Sequence, residues 1–344
     1  MKRILVIVVF LGFIFNATAQ KLNTSRDSID VFYNKLFSDM KNGYIFKDKV
    51  DWLEIEPKVR QHLGQYSDFQ SSLKEVTDLF DFAKANHCRI FYNHAEFSGT
   101  NHGPTTKDFS EQWVKKFTTK PGFEAKVLDN EIGYILIPGM LIEDNSSKNI
   151  HNLSQPMYDA INKIKSTNNI KGWIIDLRFN TGGNCRPMLL ALYDFLGDND
   201  VWSSIDINGK QISRTNLKNG KYMDNGKKIS YINPKGVLLD KAKVAVITNL
   251  ATGSSGEVTA LAFKDRENTI FIGEKTNGMT TTNINVDFPF GAYMTLTVGY
   301  DCDRNGKFYK QIIPDILISR QDDFDNLLLD KNIREAINYL SKGS

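Results

Sequence analysis

The stretch Val244-Ala245-Val246-Ile247-Thr248-Asn249, then Thr252-Gly253-Ser254-Ser255-Gly256-Glu257, then Val258-Thr259-Ala260-Leu261-Ala262-Phe263-Lys264, decides how the chain reads. A short run of apolar and β-branched residues ending in a Gly/Ser turn reads as a buried strand meeting a loop. Good helix formers with apolar residues at helical spacing follow it. A serine at such a strand–turn–helix junction lies where unpaired N–H groups and the helix dipole favour a developing anion. That suits a nucleophile. Ser and Gly are equally ordinary caps and turn formers, so this stretch alone leaves both roles open.

Working outward, Ile132-Gly133-Tyr134-Ile135-Leu136-Ile137, Gly172-Trp173-Ile174-Ile175-Asp176-Leu177 and Thr269-Ile270-Phe271-Ile272-Gly273 read as further strands. Helical patterns separate them: Ser154 to Lys165, Pro187 to Leu196, and the segment after Ser254. Strands alternating with helices predict an α/β class with a largely parallel sheet. Residues 199–235 read as β-hairpins with Asn/Gly turns, and Pro289-Phe290-Gly291-Ala292 as a turn between two alternating runs. Phe324 to Leu340 reads as a closing amphipathic helix.

Upstream, Ile29, Phe32, Tyr33, Leu36 and Phe37, and later Leu73, Val76, Leu79, Phe80 and Phe82, recur at helical spacing. They predict a small helical N-terminal domain. Arg89-Ile90-Phe91-Tyr92 is β-prone, and Glu96 to Thr106 is rich in Gly, Asn, Thr and Pro, as a loop is. The expected division is 1–19 signal peptide, 20–88 helical domain, 89–122 connecting strand and loop, 123–320 core, and 321–344 C-terminal helix.

The signal peptide rests on Lys2-Arg3, the apolar run Ile4 to Phe15, and Ala17-Thr18-Ala19 as cleavage site. Cleavage after Ala19 implies export to the periplasm or beyond. No later segment approaches roughly 18 uninterrupted apolar residues, so no transmembrane anchor is expected. With 344 residues, 41% apolar, the chain has ample material for a core. Its net charge is +3 without a basic block, which gives no reason to expect a nucleic-acid partner. The three cysteines, Cys88, Cys185 and Cys302, match no zinc spacing, so neither a metal nor another cofactor is expected. The sequence is silent on oligomeric state.

A second glycine turn adds specificity. Asp176-Leu177-Arg178-Phe179-Asn180-Thr181-Gly182-Gly183-Asn184 ends a strand in a double glycine before a helix, leaving N–H groups free to serve an oxyanion hole. The plainer reading is a glycine turn with Asp176 and Arg178 paired structurally. Asp-x-Arg-x-Asn-x-Gly-Gly, then Thr-x-Ser-Ser-Gly-Glu, then Gly273-Glu274-Lys275-Thr276-Asn277-Gly278, resembles the C-terminal processing and tricorn-core family of serine peptidases. The resemblance spans about residues 123 to 316, including Ile313-Pro314-Asp315-Ile316. It implies a crotonase-like (ClpP-like) spiral of ββα units, with Ser254 as nucleophile. It also implies an oxyanion hole from Ser255 and either Gly182 or Gly183.

A serine needs a base within hydrogen-bond reach. Processing peptidases place a lysine just after the Gly-Glu-x-Thr-x-Gly turn, where this chain has Met279; Lys275 occupies a turn position instead. The tricorn-like branch uses a histidine from ahead of the core. Of His62, His87, His94, His102 and His151, the resemblance points to His87 in Asn86-His87-Cys88-Arg89, with His94 and His102 as alternatives. It further implies that Asn86 bridges His87 to a carboxylate, either Asp303 in Asp303-Arg304-Asn305-Gly306 or Asp301. Glu257, one helical turn past Ser254, has the place of a capping carboxylate. All three cysteines neighbour these segments, and two of them are expected to pair.

Two functions are therefore expected in competition. The first is an exported serine endopeptidase acting on polypeptide. The second is a non-catalytic peptide- or hydrophobic-ligand-binding protein on the same fold, which Met279 keeps open. A crotonase-like acyl-CoA enzyme fits poorly with export.

Overall fold

The computed structural model describes residues 25–100 and 103–342, so the expected signal peptide and His102 lie outside the described residues. No helix among the described residues is long and apolar enough to cross a membrane.

The decisive stretch forms the middle of a six-stranded sheet. Its strand order is Ile316–Leu317, Thr269–Gly273, Val244–Thr248, Gly172–Asp176, Ile132–Leu136 and Glu124–Leu128. The first five run parallel and the last pairs antiparallel with its neighbour. Every residue of Ile132–Leu136, Gly172–Asp176 and Val244–Thr248 is buried, because helices cover both faces. Ile135, Trp173, Ile175, Val244 and Val246 point into one core with helices Ser147–Thr167, Cys185–Ala191 and Ser255–Leu261. Tyr134, Ile174, Ala245 and Ile247 point the other way, against Glu111–Thr118 and Lys331–Ser341. The period-2 alternation of a strand thus feeds two apolar layers.

The second sheet was not legible as such. It has eight strands, all antiparallel, in the order Ala95–Phe97, Arg89–Tyr92, Tyr293–Cys302, Asp200–Ile205, Gln211–Lys218, Lys221–Asp224 and Lys227–Tyr231. Thr281–Asp287 pairs along Tyr293–Cys302 as well. The last four strands of the ordered path are the hairpins expected over 199–235. Helices Ser25–Gly43, Trp52–Leu63, Phe69–Ser72 and Glu75–Phe82 pack onto this sheet. Phe32, Leu36, Val76 and Phe80 share one buried cluster with Ile90, Met294 and Leu296. The helical segment therefore completes its core on strands more than two hundred residues downstream.

Several boundaries differ from expectation. The helix expected from Ser154 begins at Ser147, capped by Ser146, and carries Pro156 inside it. The closing helix starts only at Lys331, where Asp330 caps it. The stretch expected to be only strand and loop over 89–122 also holds the helix Glu111–Thr118, whose Trp113 is buried against Phe179.

Candidate active site

Ser254 sits between strand Val244–Thr248 and helix Ser255–Leu261 with φ 52° and ψ −119°. A non-glycine residue held there costs about 1–3 kcal/mol, so its surroundings must impose it. They do. Gly253 N–H donates to the Asn180 carbonyl (3.0 Å), and Ser254 N–H donates to Glu257 Oε2 (3.0 Å). A Cβ on Gly256 would lie 2.4 Å from the Asn180 carbonyl oxygen, so only glycine fits where the two turns touch.

The double glycine lies against this elbow. A Cβ on Gly182 would come within 2.9 Å of Ser254 Cβ, and one on Gly183 within 2.2 Å of the Met140 carbonyl oxygen. Both have left-handed backbones, φ 116° and 108°. Gly182 N–H is held by Asn180 Oδ1 (3.2 Å), while the Gly183 carbonyl accepts from Ser255 Oγ (2.7 Å). The Ser255 hydroxyl thereby ties the two turns together. Beneath them Arg178 is buried among Asp176, Asp322 and Asp330 at 2.6–2.7 Å. Asp176 and Arg178 are the structural pair that the plainer reading gives, here extended to the C-terminal segment.

The imidazole of His87 reaches the serine from the other sheet. Its Nε2 lies 3.1 Å from Ser254 Oγ, and its Nδ1 lies 2.7 Å from Thr281 Oγ1. The His87 carbonyl accepts from Asn283 Nδ2 (3.1 Å), and Asn283 Oδ1 accepts from Thr297 Oγ1 (2.8 Å). The partner of Nδ1 is thus a threonine. Asn86 does not bridge: the residue is exposed, its side chain bonds to neither His87 nor Asp303, and its backbone carbonyl accepts from Arg89 Nη1 (2.7 Å). Asp303 is committed to its own turn, where Oδ1 accepts from the N–H groups of Asn305 and Lys307 and Oδ2 from the Tyr309 hydroxyl. Asp301 Oδ1 accepts from Thr282 Oγ1 (2.6 Å). The expected Asn86–Asp303 relay is replaced by Thr281. The signal for it was present in Thr280-Thr281-Thr282, directly after Met279, but nothing local says which hydroxyl faces the histidine.

The other histidines stand apart. His94 is exposed beside Glu143, His151 stacks on Tyr231, and His62 faces Glu75. His62, Glu75 and Asp78 are the one group among the described residues with metal-like spacing, and none belongs to the serine site. The three cysteines are free, which corrects the expected pairing. Cys88 packs on Thr297, Cys185 on the Tyr222 hydroxyl and Cys302 against the Tyr300 carbonyl.

Electrostatics follow from burial. Loss of solvent, aided by the Arg89 charge, lowers the His87 pKa to about 4, so the imidazole is neutral at pH 7. Burial raises Glu257 to about 7 against the opposing pull of Thr276 Oγ1 and the N–H groups of Gly278 and Ser254. Asp301 is raised to about 7 by burial, with the Glu257 charge adding to it.

The site thus sets a serine in a strained backbone against a neutral imidazole, on a mixed α/β frame. The chain belongs to peptidase family S41, whose model matches residues 131–318. It is 27% identical over 274 residues to a nisin-resistance protein of Lactococcus lactis subsp. lactis, covering 79% of this chain and 78% of that one. Among solved structures it resembles a lipoprotein from Streptococcus agalactiae (TM-score 0.63, 23% identity, 89% of this chain and 94% of that one). A candidate peptidase from Parabacteroides merdae ATCC 43184 also shares the fold (TM-score 0.55, 16% identity, 90% of this chain and 96% of that one).

Proposed function

We propose that this chain is an exported serine endopeptidase with Ser254 as nucleophile and His87 as base, built on a crotonase-like spiral core. The observation that carries the reading is the 3.1 Å approach of His87 Nε2 to Ser254 Oγ. For Nε2 to accept the serine proton, Nδ1 must carry hydrogen, and Thr281 Oγ1 is placed to receive it (2.7 Å). Ser254 Oγ attacks the peptide carbonyl as its proton passes to Nε2. The negative oxygen of the tetrahedral intermediate is held by the N–H groups of Ser255 and Gly183, since the Gly182 N–H is already bonded to Asn180 Oδ1. Nε2 then returns the proton to the leaving amine, the C–N bond breaks, and an ester on Ser254 remains. Water, deprotonated by the same nitrogen, releases the acid product and restores the hydroxyl. Membership of a peptidase family supports a polypeptide substrate, and the likeness to a nisin-resistance protein is compatible with it.

The competing reading is a peptide-binding protein without turnover. What favours it is that Nδ1 meets a neutral hydroxyl, so the imidazolium formed during attack lacks the stabilisation a carboxylate gives. Hydrolysis of a mixed peptide pool by wild type, Ser254→Ala and His87→Ala tests the two. Cleavage by wild type and none by either variant supports the peptidase. Equal cleavage by all three removes Ser254 and His87 from the mechanism.

A further inference from the structure

Behind His87 lies a cavity of about 330 Å³, large enough for one big side chain. Its walls include Phe46, Met279, Tyr300 and Phe308, together with His87 and Thr281, which are hydrogen-bonded to each other and, through His87, to Ser254. The Tyr300 and Phe308 rings pack 4.5 Å apart and Phe46 lies 6.0 Å from Tyr300, so the aromatic wall is already assembled. Met279, which stands where processing peptidases carry lysine, contributes an apolar wall.

Two exposed lysines, Lys84 and Lys310, also line the cavity. Their backbones are fixed, since the Lys84 carbonyl accepts from the Tyr44 hydroxyl (3.0 Å) and the Lys310 carbonyl from Thr280 Oγ1 (3.2 Å). Among the described residues no carboxylate lines the cavity, and neither ammonium has an ion-pair partner. An apolar hole with two uncompensated cations is complementary to an apolar group followed by an anion.

Its side of the reaction is set by the imidazole. The cavity is lined by His87 but not by Ser254, Ser255, Gly182 or Gly183, so it adjoins the pair on the histidine's side and not on the side of the glycine turn. The leaving amine takes its proton from Nε2, so the leaving half of the peptide departs past His87. We propose that this cavity is the leaving-group subsite: it takes a large apolar side chain on the residue just after the scissile bond, and Lys84 and Lys310 hold a carboxylate carried a residue or two further on. The proposal rests on the serine-peptidase reading. The carboxylate is either an acidic side chain or a chain terminus.

The test uses Ser254→Ala protein, which binds without turnover, and calorimetric titration with four tripeptides. These are Phe-Ala-Glu-amide, Phe-Ala-Gln with a free terminus, Phe-Ala-Gln-amide, and Gly-Ala-Glu-amide. Replacing Phe by Gly is expected to weaken binding roughly ten- to hundredfold, as loss of a buried aromatic side chain does. Removing the carboxylate should weaken it about two- to fivefold, more at low salt. The better of the two carboxylate peptides identifies the source. Adding Lys84→Glu and Lys310→Glu, both at exposed positions, should abolish the carboxylate preference and leave the Phe/Gly ratio intact.

Equal binding of the Phe and Gly peptides, or no binding of any, overturns the subsite. A parallel assay of wild type on longer peptides, with Phe or Gly after the cleaved bond, separates this from the catalytic reading. Cleavage without Phe preference sinks the subsite alone. Selective binding without any cleavage leaves a peptide site and sinks the peptidase.

Discussion

The serine and the histidine stand on sheets of different construction. Ser254 is held by what lies next to it in the parallel sheet: the Asn180 turn, Glu257 three residues on, and glycines with no room for a side chain. His87 is held from far away in sequence by the antiparallel sheet: Thr281 bonds its ring, and Asn283, itself held by Thr297, bonds its backbone carbonyl. The serine is fixed by packing and backbone geometry, whereas the histidine is fixed by hydroxyl and amide contacts. The first arrangement should fail through steric or charge insult, with loss of fold. The second should fail by graded loss of rate.

The largest effect expected is on hydrolysis. Ser254→Ala and His87→Ala should each lower kcat/KM about a thousandfold or more, and the double variant no further, because the two act as a unit. Unequal or additive losses would separate the halves. Next comes the charge cluster under the glycine turn. Arg178→Met leaves three aspartates facing one another in a buried site and should cost roughly 3–5 kcal/mol in denaturant unfolding.

Thr281→Val should slow hydrolysis about tenfold while leaving the unfolding midpoint nearly unchanged, a modest loss for an orienting hydrogen bond to a base. Asp303→Asn sharpens the contrast, since its carboxylate serves only a turn: stability falls by about 1 kcal/mol while kcat/KM stays within roughly threefold. An Asp303→Asn enzyme as impaired as His87→Ala would restore the carboxylate relay.

The pH profile carries the same comparison. Catalysis needs the neutral imidazole, and its pKa is lowered to about 4, so the acid limb of kcat/KM should fall near pH 4 rather than near 6.5. The lowered value also means that His87 contributes full stability above pH 6.5 and loses it as pH falls toward 4. Thr281→Asp supplies a negative neighbour and should move the acid limb upward.

How much of this was legible follows from the same difference. The parallel strands are buried on both faces, so Val244-Ala245-Val246-Ile247 and Gly172-Trp173-Ile174-Ile175 announce themselves as unbroken apolar runs. Their turns carry the residues of the family resemblance consecutively, which is why Ser254 and the double glycine stand out in the sequence as candidates. The antiparallel sheet joins Arg89–Tyr92 to Tyr293–Cys302 across some two hundred residues, and no local pattern records that pairing. His87 was reachable through family likeness, but Thr281 was not. Its neighbours Thr280 and Thr282 look the same in sequence, yet only the register of strand Thr281–Asp287 decides which hydroxyl faces the imidazole. The expected acid, Asp303, failed for a related reason: an Asp-Arg-Asn-Gly turn satisfies its own carboxylate.

The central claim is that His87 activates Ser254 across the two sheets. Labelling with a fluorophosphonate, located by mass spectrometry, tests it without knowledge of the natural substrate. Wild type should be labelled at Ser254, with a rate that falls away below pH about 4, and His87→Ala should react at least about a hundredfold more slowly. No label on wild type, or equal labelling of the His87→Ala variant, would contradict it.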